Sequence, residues 1–253
     1  MRDWPQGYGR RVLASVESTN TEAFRAAPSL SEAEWIFAHQ QTKGRGRHGR
    51  RWRDPEGNFA ATLIMQLPGP AAHLALRSFV AALAVYDALV ACGVPSKALS
   101  LKWPNDVLLD DGKIAGILLE SRAKQGRASG NTYDLAIGIG VNLRHTPDQA
   151  EGFAPVSPPV SLYGQTGIAI APEGFLNLLA ARYAPYEQAF RQQGFHALRL
   201  LWLERAARLG TPITARLRRD TQTGIFETVD SAGNLVLKTE QGILRISAAE
   251  VFF

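Results

Sequence analysis

Cysteine is almost absent from this sequence of 253 residues, because Cys92 is the only one. A single thiol cannot form an internal disulfide, which excludes a disulfide-stabilised secreted fold and favours a reducing compartment. The first residues, Met1-Arg2-Asp3-Trp4-Pro5, lack the apolar segment of a signal peptide, and the apolar run from Leu74 to Cys92 is interrupted by Arg77 and Asp87. We therefore expect a soluble cytoplasmic protein that does not bind membranes.

A strong charge excess is also missing, since 28 Lys and Arg residues face 23 Asp and Glu residues and give a net charge of +5. This charge is compatible with a polyanionic partner but does not identify one. The hydrophobic fraction of 45% is sufficient for a packed core, and the length fits one large domain or two smaller ones.

The most unusual stretch runs from Gln40 to Trp52 and combines five Lys and Arg residues with three glycines. Glycine permits backbone N–H groups to converge, and arginine binds phosphate or carboxylate oxygens two at a time. An apolar run, Trp35-Ile36-Phe37-Ala38, precedes it. The pattern predicts a strand that opens into a flexible, cationic loop that binds anions.

Two common phosphate-binding motifs do not explain this loop. Gly44, Gly46 and Gly49 match G-x-G-x-x-G, but no helix start follows and no acidic residue stands about 20 positions further on. In the P-loop frame, Arg50 and Arg51 fill the positions of the required Lys and Ser/Thr. Both motifs are therefore rejected.

Hydrophobic periodicity predicts both helices and strands, with a domain boundary near Gly210 that gives domains 1–209 and 210–253. Strands are expected around 11–16, 59–65, 99–109, 113–120 and 133–142, and helices around 71–92, 175–193 and 195–209. Thr19 and Glu22 have the spacing of a capping box at a helix start. Asp110-Asp111-Gly112 predicts a hairpin turn directly before Lys113. Polar loops are expected at 122–131 and 146–172, and four short strands of a small barrel beyond 210.

Five segments in a fixed order resemble the biotin protein ligases, enzymes that attach biotin to a lysine of carboxylase carrier domains. The segments are Glu17-Ser18-Thr19-Asn20, Gln41 with Gly44 to Trp52, Lys102-Trp103-Pro104-Asn105-Asp106, Gly112 to Glu120, and Gly138-Ile139-Gly140-Val141-Asn142. Each segment alone is weak evidence, but the ordered set is specific. With the β-rich tail, the resemblance covers most of the chain.

This resemblance implies an α+β fold, with a mixed-sheet catalytic domain similar to class II synthetases followed by an SH3-like barrel. It also implies an ATP-dependent ligase with two half-reactions. Biotin and MgATP first give biotinyl-5′-AMP and pyrophosphate. The biotinyl group then passes to the ε-amine of a lysine on a biotin carboxyl carrier protein of acetyl-CoA carboxylase or a related carboxylase.

The resemblance also assigns site residues. It implies that Ser18, Thr19 and Gln41 bind the ureido end of biotin, with Asn20 and the loop glycines Gly44 and Gly46 also in the binding site. The expected groups for the phosphates and the biotin carboxylate are Arg45, Arg47, Arg50 and Lys113. The expected groups around the adenine and the biotin are Trp52, Asn142, Gly116, Gly138 and Gly140. Asp106 is expected to orient or deprotonate the incoming lysine, and Lys113, Arg47 and Asp106 are the expected catalytic residues.

Several alternatives remain open at this point. Ser18, Thr19 and Asn20 could act only as helix caps, Lys113 could be solvated, Trp52 could anchor the loop on the sheet, and Asp106 could only stabilise its turn. A lipoate or octanoate ligase and an RNA-binding module are the rival functions. Because about 17 residues precede the first matching segment, we expect neither a helix-turn-helix domain nor repressor activity. The oligomeric state (monomer or homodimer), the metal ligands and a barrel contribution to ATP binding are not predicted.

Overall fold

A computed structural model describes residues 4–124, 132–147, 157–217 and 220–253. Within these ranges a first sheet has seven strands in the order β1-β2-β3-β7-β6-β5-β4. Only β1 and β2 are parallel, so the sheet is mixed and the predicted α+β class is confirmed. The strands are β1 (Tyr8–Val16), β2 (Ala33–Gln41), β3 (Phe59–Pro68), β4 (Leu99–Lys102), β5 (Asp106–Leu109), β6 (Gly112–Ala123) and β7 (Thr132–Val141).

Helix α1 (Thr19–Ala26) connects the parallel strands β1 and β2, because a parallel pair requires a crossover connection. The predicted helix start is confirmed, but the predicted capping box is wrong. Ser18 occupies the N-cap position, and its side chain makes no capping hydrogen bond. Thr19 Oγ1 instead lies 3.1 Å from Gln41 Oε1, at the end of β2. The side chains of Thr19 and Asn20 therefore bond to strands of the sheet rather than to their own helix.

The two faces of the first sheet pack against different helices. On one face, Phe24 of α1 packs with Ile36, Ile64 and Ala136 in a small buried cluster. The larger core on the other face contains residues of α2 (Ala71–Ala75), α3 (Arg77–Ala91), α5 (Pro172–Gln193) and α6 (Phe195–Glu204). The helix predicted for 71–92 is thus divided at Leu76. Burial of β3 from Phe59 to Met65 explains its continuous apolar sequence.

The predicted hairpin between β5 and β6 is confirmed. Asp110 and Asp111 have φ angles of 46° and 62°, the left-handed values of a type I′ turn, and Leu109 pairs with Gly112. Gly112 is required for close packing, since a Cβ atom there would lie 2.3 Å from Val160 Cγ1. The sequence predicted that Lys113 starts this strand, but β6 begins one residue earlier, at Gly112, so Lys113 is its second residue.

Two predicted loops lie partly outside the described residues, namely 125–131 of the loop at 122–131 and 148–156 of the connection at 146–172. The described part of that connection contains α4 (Leu162–Thr166), which was not predicted. Helix α6 ends at Glu204, five residues before the predicted end at Leu209. After Glu204 the chain instead runs beside β4, where Ala206 forms an isolated parallel bridge with Leu101, and Leu209 is exposed.

A second sheet follows, entirely antiparallel and with the order β11-β10-β9-β8-β12 among the described residues. Its strands are β8 (Pro212–Arg216), β9 (Thr221–Val229), β10 (Leu235–Thr239), β11 (Gly242–Ile246) and β12 (Glu250–Phe252). The first four correspond to the four predicted strands. The fifth, β12, was missed, and it pairs with β8.

The two sheets contribute to one hydrophobic core, which includes Phe226 and Val251 of the second sheet together with residues of the first. Trp103 Nε1 donates a hydrogen bond of 3.0 Å to the carbonyl of Gly233. The predicted boundary near Gly210 lies just before β8 and stays a prediction. The shared core and the Trp103–Gly233 hydrogen bond fix the second sheet beside the β4–β5 region of the first.

The segment Ala71–Ala91 is long and apolar enough to cross a membrane, with a mean hydropathy of 1.7. However, 72% of its apolar stretch is buried inside the protein, and the segment is divided into α2 and α3. Its apolar side chains pack against the sheet, which is the ordinary arrangement of a core helix.

A buried ion pair between α3 and α5 yields the first prediction. Arg77 and Glu187 are bound through several hydrogen bonds, and their side chains are 5% and 3% exposed. Replacing Arg77 by Met leaves a buried carboxylate without its main partner, so we expect the free energy of unfolding to fall by about 3–5 kcal/mol. Chemical denaturation measures this change.

The matched control is Arg25→Met, which removes an exposed pair with Glu22 and is expected to cost less than about 1 kcal/mol. The double variant Arg77→Met/Glu187→Leu should recover part of the loss, because it leaves no buried charge unpaired. Equal destabilisation by Arg77→Met and Arg25→Met would contradict the importance of the buried pair.

Candidate active site

A cavity of about 220 Å³ lies where α1 begins, β2 ends, and the glycines of β6 and β7 face the loop after β2. Most of the predicted site residues line it. They are Ser18, Thr19, Asn20, Gln41, Arg45, Gly46, Arg47, Arg50, Trp52, Asp106, Lys113, Gly116, Gly138 and Gly140. The cavity also receives residues that were not predicted, namely His48, Arg51, Asn105, Ile117, Leu118, Ile139, Ala249 and Glu250.

The loop that follows β2 folds back on itself. Trp52 N donates a hydrogen bond of 2.9 Å to the carbonyl of Gly44, and Arg45 and Arg51 form an isolated antiparallel bridge. A Cβ atom at Gly44 would lie 2.6 Å from the carbonyl oxygen of Trp52, so the close return of the loop requires glycine. Gly44 therefore shapes the loop, although it is not among the residues that line the cavity.

Trp52 lies on the glycines of the sheet. A Cβ atom at Gly140 would be 2.4 Å from Trp52 Cε2, and one at Gly116 would be 3.2 Å from Trp52 Cζ3. The indole thus takes the loop-anchor position that the sequence left open, and its stacking on adenine stays a prediction. The space above Gly138 is likewise filled by Asn20, whose Oδ1 would be 2.3 Å from a Cβ atom there.

Three cations of the cavity, Lys113, Arg45 and Arg50, are paired with carboxylates. Lys113 Nζ lies 2.7 Å from Asp106 Oδ1, and Arg45 Nη2 lies 3.2 Å from Glu120 Oε2. Lys113 is only 30% exposed, so it is not the solvated lysine of the alternative interpretation. Asp106 pairs across the β5–β6 hairpin with this lysine, which places a negative group directly beside the expected catalytic cation.

Arg47 is held by a neutral partner, since its Nη1 donates a hydrogen bond of 3.1 Å to Asn105 Oδ1. Asn105 Nδ2 in turn donates to the carbonyl of Ile117 at 2.6 Å. Burial lowers the pKa of the Arg47 guanidinium, with a partial offset from the Asp106 carboxylate. Among the residues that the structure describes, no carboxylate forms an ion pair with this desolvated guanidinium, which favours an incoming anion as its counter-charge.

The third carboxylate, Glu250, comes from β12 of the second sheet. Arg50 donates to it through both terminal nitrogens, at 2.5 and 3.0 Å, and Arg216 also binds it. These hydrogen bonds, first from Arg50, lower the pKa of Glu250 to about 2. Sequence reasoning missed this residue, because a single acid in the short apolar end of the chain carries no recognisable pattern.

Asn142 is buried behind the site rather than in it. Its Nδ2 donates to the carbonyl of Val160 at 3.0 Å, and it does not line the cavity. The side chain thus joins β7 to the segment before α4. Its predicted hydrogen bond to adenine stays a prediction, and the observed contacts favour a structural role.

Segments that form this cavity match known proteins. Residues 12–142 match the biotin/lipoate A/B protein ligase family, and residues 209–253 match the biotin protein ligase C-terminal domain. A biotin–[acetyl-CoA-carboxylase] ligase of Paracoccus denitrificans is 50% identical over 96% of this chain and 99% of its own length. The chain belongs to the biotin/lipoate A/B protein ligase family.

More distant relatives agree with this assignment. The bifunctional ligase/repressor BirA of Bacillus subtilis is 30% identical, over 95% of this chain and 71% of its own length. A biotin protein ligase from Aquifex aeolicus, solved in complex with biotin and ATP, has a TM-score of 0.78 at 26% identity, covering 96% of this chain and 98% of its own. The resemblance to biotin protein ligases is confirmed, as is the fold of a mixed-sheet catalytic domain with an SH3-like C-terminal domain.

Lys102, in the matching segment that ends at Asp106, is a buried cation for which the resemblance implies no role. Its Nζ donates to Ser157 Oγ at 2.9 Å and lies 4.7 Å from the centre of the Phe253 ring. Burial lowers the pKa of Lys102 to about 8. Its contacts join β4 to the end of the chain, so it supports the packing between the two sheets.

In the part of the chain that the structure describes, no group of three or more His, Cys, Asp or Glu side chains is placed to hold a metal ion. Mg²⁺ commonly binds through nucleotide phosphates and one or two carboxylates, and it retains several waters. A Mg²⁺ ion carried by nucleotide phosphates would therefore need few protein ligands at this cavity. The protein ligands of Mg²⁺ are not assigned.

The Arg50–Glu250–Arg216 contact yields a pH-dependent prediction. Because folding lowers the pKa of Glu250 to about 2, its contribution to stability is complete above the ordinary pKa of 4.5 and is lost as the pH falls towards 2. Replacing Glu250 by Gln should therefore cost about 1 kcal/mol at pH 7 and clearly less at pH 3, measured by chemical denaturation.

The control is Glu240→Gln, in the exposed turn between β10 and β11 of the same sheet. It should show a smaller cost at pH 7. A cost of Glu250→Gln that is the same at pH 7 and pH 3 would rule out the ionised carboxylate as its source.

Proposed function

We propose that this chain is an ATP-dependent biotin protein ligase that forms biotinyl-5′-AMP and transfers biotin to a lysine of a biotin carboxyl carrier protein. The relative from Paracoccus denitrificans is named a biotin–[acetyl-CoA-carboxylase] ligase, and the Aquifex aeolicus structure is a complex with biotin and ATP. The observation in this chain that supports it best is the convergence of Arg45, Arg47, Arg50 and Lys113 on one cavity. A site that couples two anions needs such a concentration of fixed positive charge.

In the first half-reaction, a carboxylate oxygen of biotin attacks the α-phosphorus of ATP, and pyrophosphate leaves. Biotin's carboxylate is ionised at neutral pH, as ordinary carboxyl groups are, so this step needs no general base. The energetic problem is the repulsion between two anions and the charge that develops on the phosphoryl oxygens. Lys113 lies between the biotin carboxylate and the α-phosphate, while Arg47 and Arg45 hold the adenylate and Arg50 faces the departing phosphates.

In the second half-reaction, the lysine amine of the carrier attacks the acyl carbon of biotinyl-5′-AMP, and AMP leaves. At a pKa near 10.4, only about one lysine in a thousand is neutral at pH 7. Asp106 orients the incoming amine and accepts its proton when Lys113 turns towards the ligand phosphate. The hydrogen bonds of Asn105 hold the turn, which leaves the Asp106 carboxylate available to the cavity.

The remaining aspects of the proposed function concern partners and location. The carrier is the biotin carboxyl carrier domain of acetyl-CoA carboxylase or a related carboxylase, and the enzyme works in the cytoplasm without binding membranes. A monomer and a homodimer are both compatible with these roles.

Lipoate and octanoate ligases are the rivals within the same family. Incubation of the protein with MgATP and either biotin, lipoate or octanoate, followed by mass spectrometry of the acyl-adenylate, separates these functions. We expect biotinyl-5′-AMP only. Preferential formation of lipoyl- or octanoyl-AMP would contradict the proposed substrate, and failure to form any adenylate would contradict the proposed reaction.

The role of Lys113 is tested by Lys113→Ala. Loss of a fixed cation that stabilises the transition state should slow biotinyl-5′-AMP formation by about 100- to 1000-fold, measured in single turnovers. Lys97→Ala, in an exposed segment before β4, is the control and should remain within about twofold of the parent. An unchanged rate in Lys113→Ala would show that the assigned catalytic cation is wrong.

A further inference from the structure

A row of directly paired residues crosses the first sheet and ends at Lys102. On β4, Lys102 pairs with Asp106 of β5. Asp106 pairs in turn with Gly116 of β6, which pairs with Gly140 of β7. Directly paired residues of antiparallel strands point to the same face of a sheet, with Cβ atoms about 5 Å apart. The other three members of the row line the cavity, so Lys102 lies immediately beside it.

Lys102 is covered by two residues that follow it in the chain. It is 5% exposed, its Nζ donates to Ser157 Oγ at 2.9 Å, and the same nitrogen lies 4.7 Å from the centre of the Phe253 ring. In the ranges that the structure describes, no carboxylate lies within ion-pair distance of this ammonium. Burial lowers the pKa of Lys102 to about 8, and the Asp106 carboxylate partly offsets this effect. Lys102 therefore keeps its charge at neutral pH.

Asp106 loses its ion-pair partner in the course of the proposed reaction. In the structure its Oδ1 lies 2.7 Å from Lys113 Nζ, and its side chain is 18% exposed. When Lys113 turns to the ligand phosphate, Asp106 is left beside an anionic adenylate. Partial burial and a nearby negative charge both favour the protonated form of a carboxyl group. A protonated Asp106 cannot accept the proton of the incoming lysine amine.

The other charged groups around this pair have different partners. They are Lys113 of β6, Arg47 and Arg50 of the loop after β2, Arg208 before β8, and Glu250 of β12. In the proposed function, the first three of these cations hold ligand phosphates. Arg208 pairs with an exposed carboxylate, and Glu250 binds two arginines. Lys102 is thus the cation that stays beside Asp106 when the phosphates have taken the others.

We infer, on the basis of the proposed function, that Lys102 is a positioning residue whose ammonium group keeps Asp106 ionised after Lys113 has moved to the ligand. Asp106 then remains able to accept a proton from the carrier lysine. The short turn Trp103-Pro104-Asn105 between β4 and β5 holds the two residues opposite each other. Lys102 therefore serves the second half-reaction and has little effect on the first, which needs no base.

The experiment measures the two half-reactions separately. Enzyme that carries preformed biotinyl-5′-AMP is mixed with an excess of a biotin carboxyl carrier domain, and transfer is followed in single turnovers from pH 6 to pH 8. Lys102→Met removes the charge and keeps the length of the side chain. We expect transfer to slow about tenfold at pH 6, because the acidic limb of the rate profile moves up by about one pH unit.

At pH 8 the same variant should transfer biotin within about twofold of the parent rate, because Lys102 is itself losing its charge there. Adenylate formation should stay within about threefold at every pH, since it does not use Asp106. Lys102→Arg keeps the charge and should keep the pH profile of the parent. Thermal unfolding checks that both variants are folded.

The background Asp106→Asn provides a further control. In it, Lys102→Met should no longer change the pH profile, because no carboxylate is left for the ammonium to stabilise. Equal slowing of transfer at pH 6 and pH 8 in Lys102→Met, or equal slowing of both half-reactions, would overturn the inference, since a packing defect acts at every pH. An unchanged acidic limb would overturn it as well.

Failure of the proposed function has a different result. If Asp106→Asn transfers biotin at the parent rate, the base assigned to the second half-reaction is wrong. If Asp106→Asn is slow and Lys102→Met keeps the parent profile, only the role of Lys102 is wrong.

A measurement on the parent does not depend on the folding of a variant. If Asp106 stays ionised, the carrier lysine is the group that titrates, and the logarithm of the transfer rate should rise with a slope of about one between pH 6 and pH 8. A slope close to two at the acidic end would show that Asp106 is protonated there in spite of Lys102, and would overturn the inference.

Discussion

Positive charge is concentrated at the cavity, and the protein itself supplies the counter-charges. The ion pairs join Lys113 with Asp106, Arg45 with Glu120, and Arg50 with Glu250. Guanidinium and ammonium groups that share a small, partly desolvated space repel one another, so the fold needs these carboxylates when no anion is bound. An incoming carboxylate or phosphate can take over as counter-charge. The site therefore combines high positive potential with a stable arrangement in the absence of substrate.

The topology explains how these pairs come together. Strands β5 and β6 form a tight hairpin, so Asp106 and Lys113 meet although six residues separate them. The order β3-β7-β6 places the glycines of β7 beside those of β6, where the loop after β2 folds over them. The second sheet packs against the same core and presents Glu250 to that loop. The C-terminal domain thus contributes directly to the candidate active site.

Local patterns in the sequence predicted much of this arrangement. The Asp110-Asp111-Gly112 turn, the cationic loop and most helices and strands follow from short-range chemistry. Most site residues expected from the ordered motifs line one cavity, and their roles there stay predictions. Contacts between distant segments were not predictable in the same way. Thr19 bonds to β2 and β3 instead of forming a capping box, and Glu250 reaches Arg50 across 200 residues. Such contacts depend on how elements pack, which residue spacing does not encode.

The central claim is that substrate anions replace protein carboxylates as partners of the cavity cations. A crystal structure with an acyl-sulfamate analogue of biotinyl-5′-AMP, which is anionic and resists hydrolysis, tests it most directly. The account predicts that Lys113 Nζ moves beyond about 4 Å from Asp106 Oδ1, outside ion-pair distance, and contacts the sulfamate oxygens. A bound analogue with the Lys113–Asp106 pair intact, and with its sulfamate held by other groups, would contradict the account.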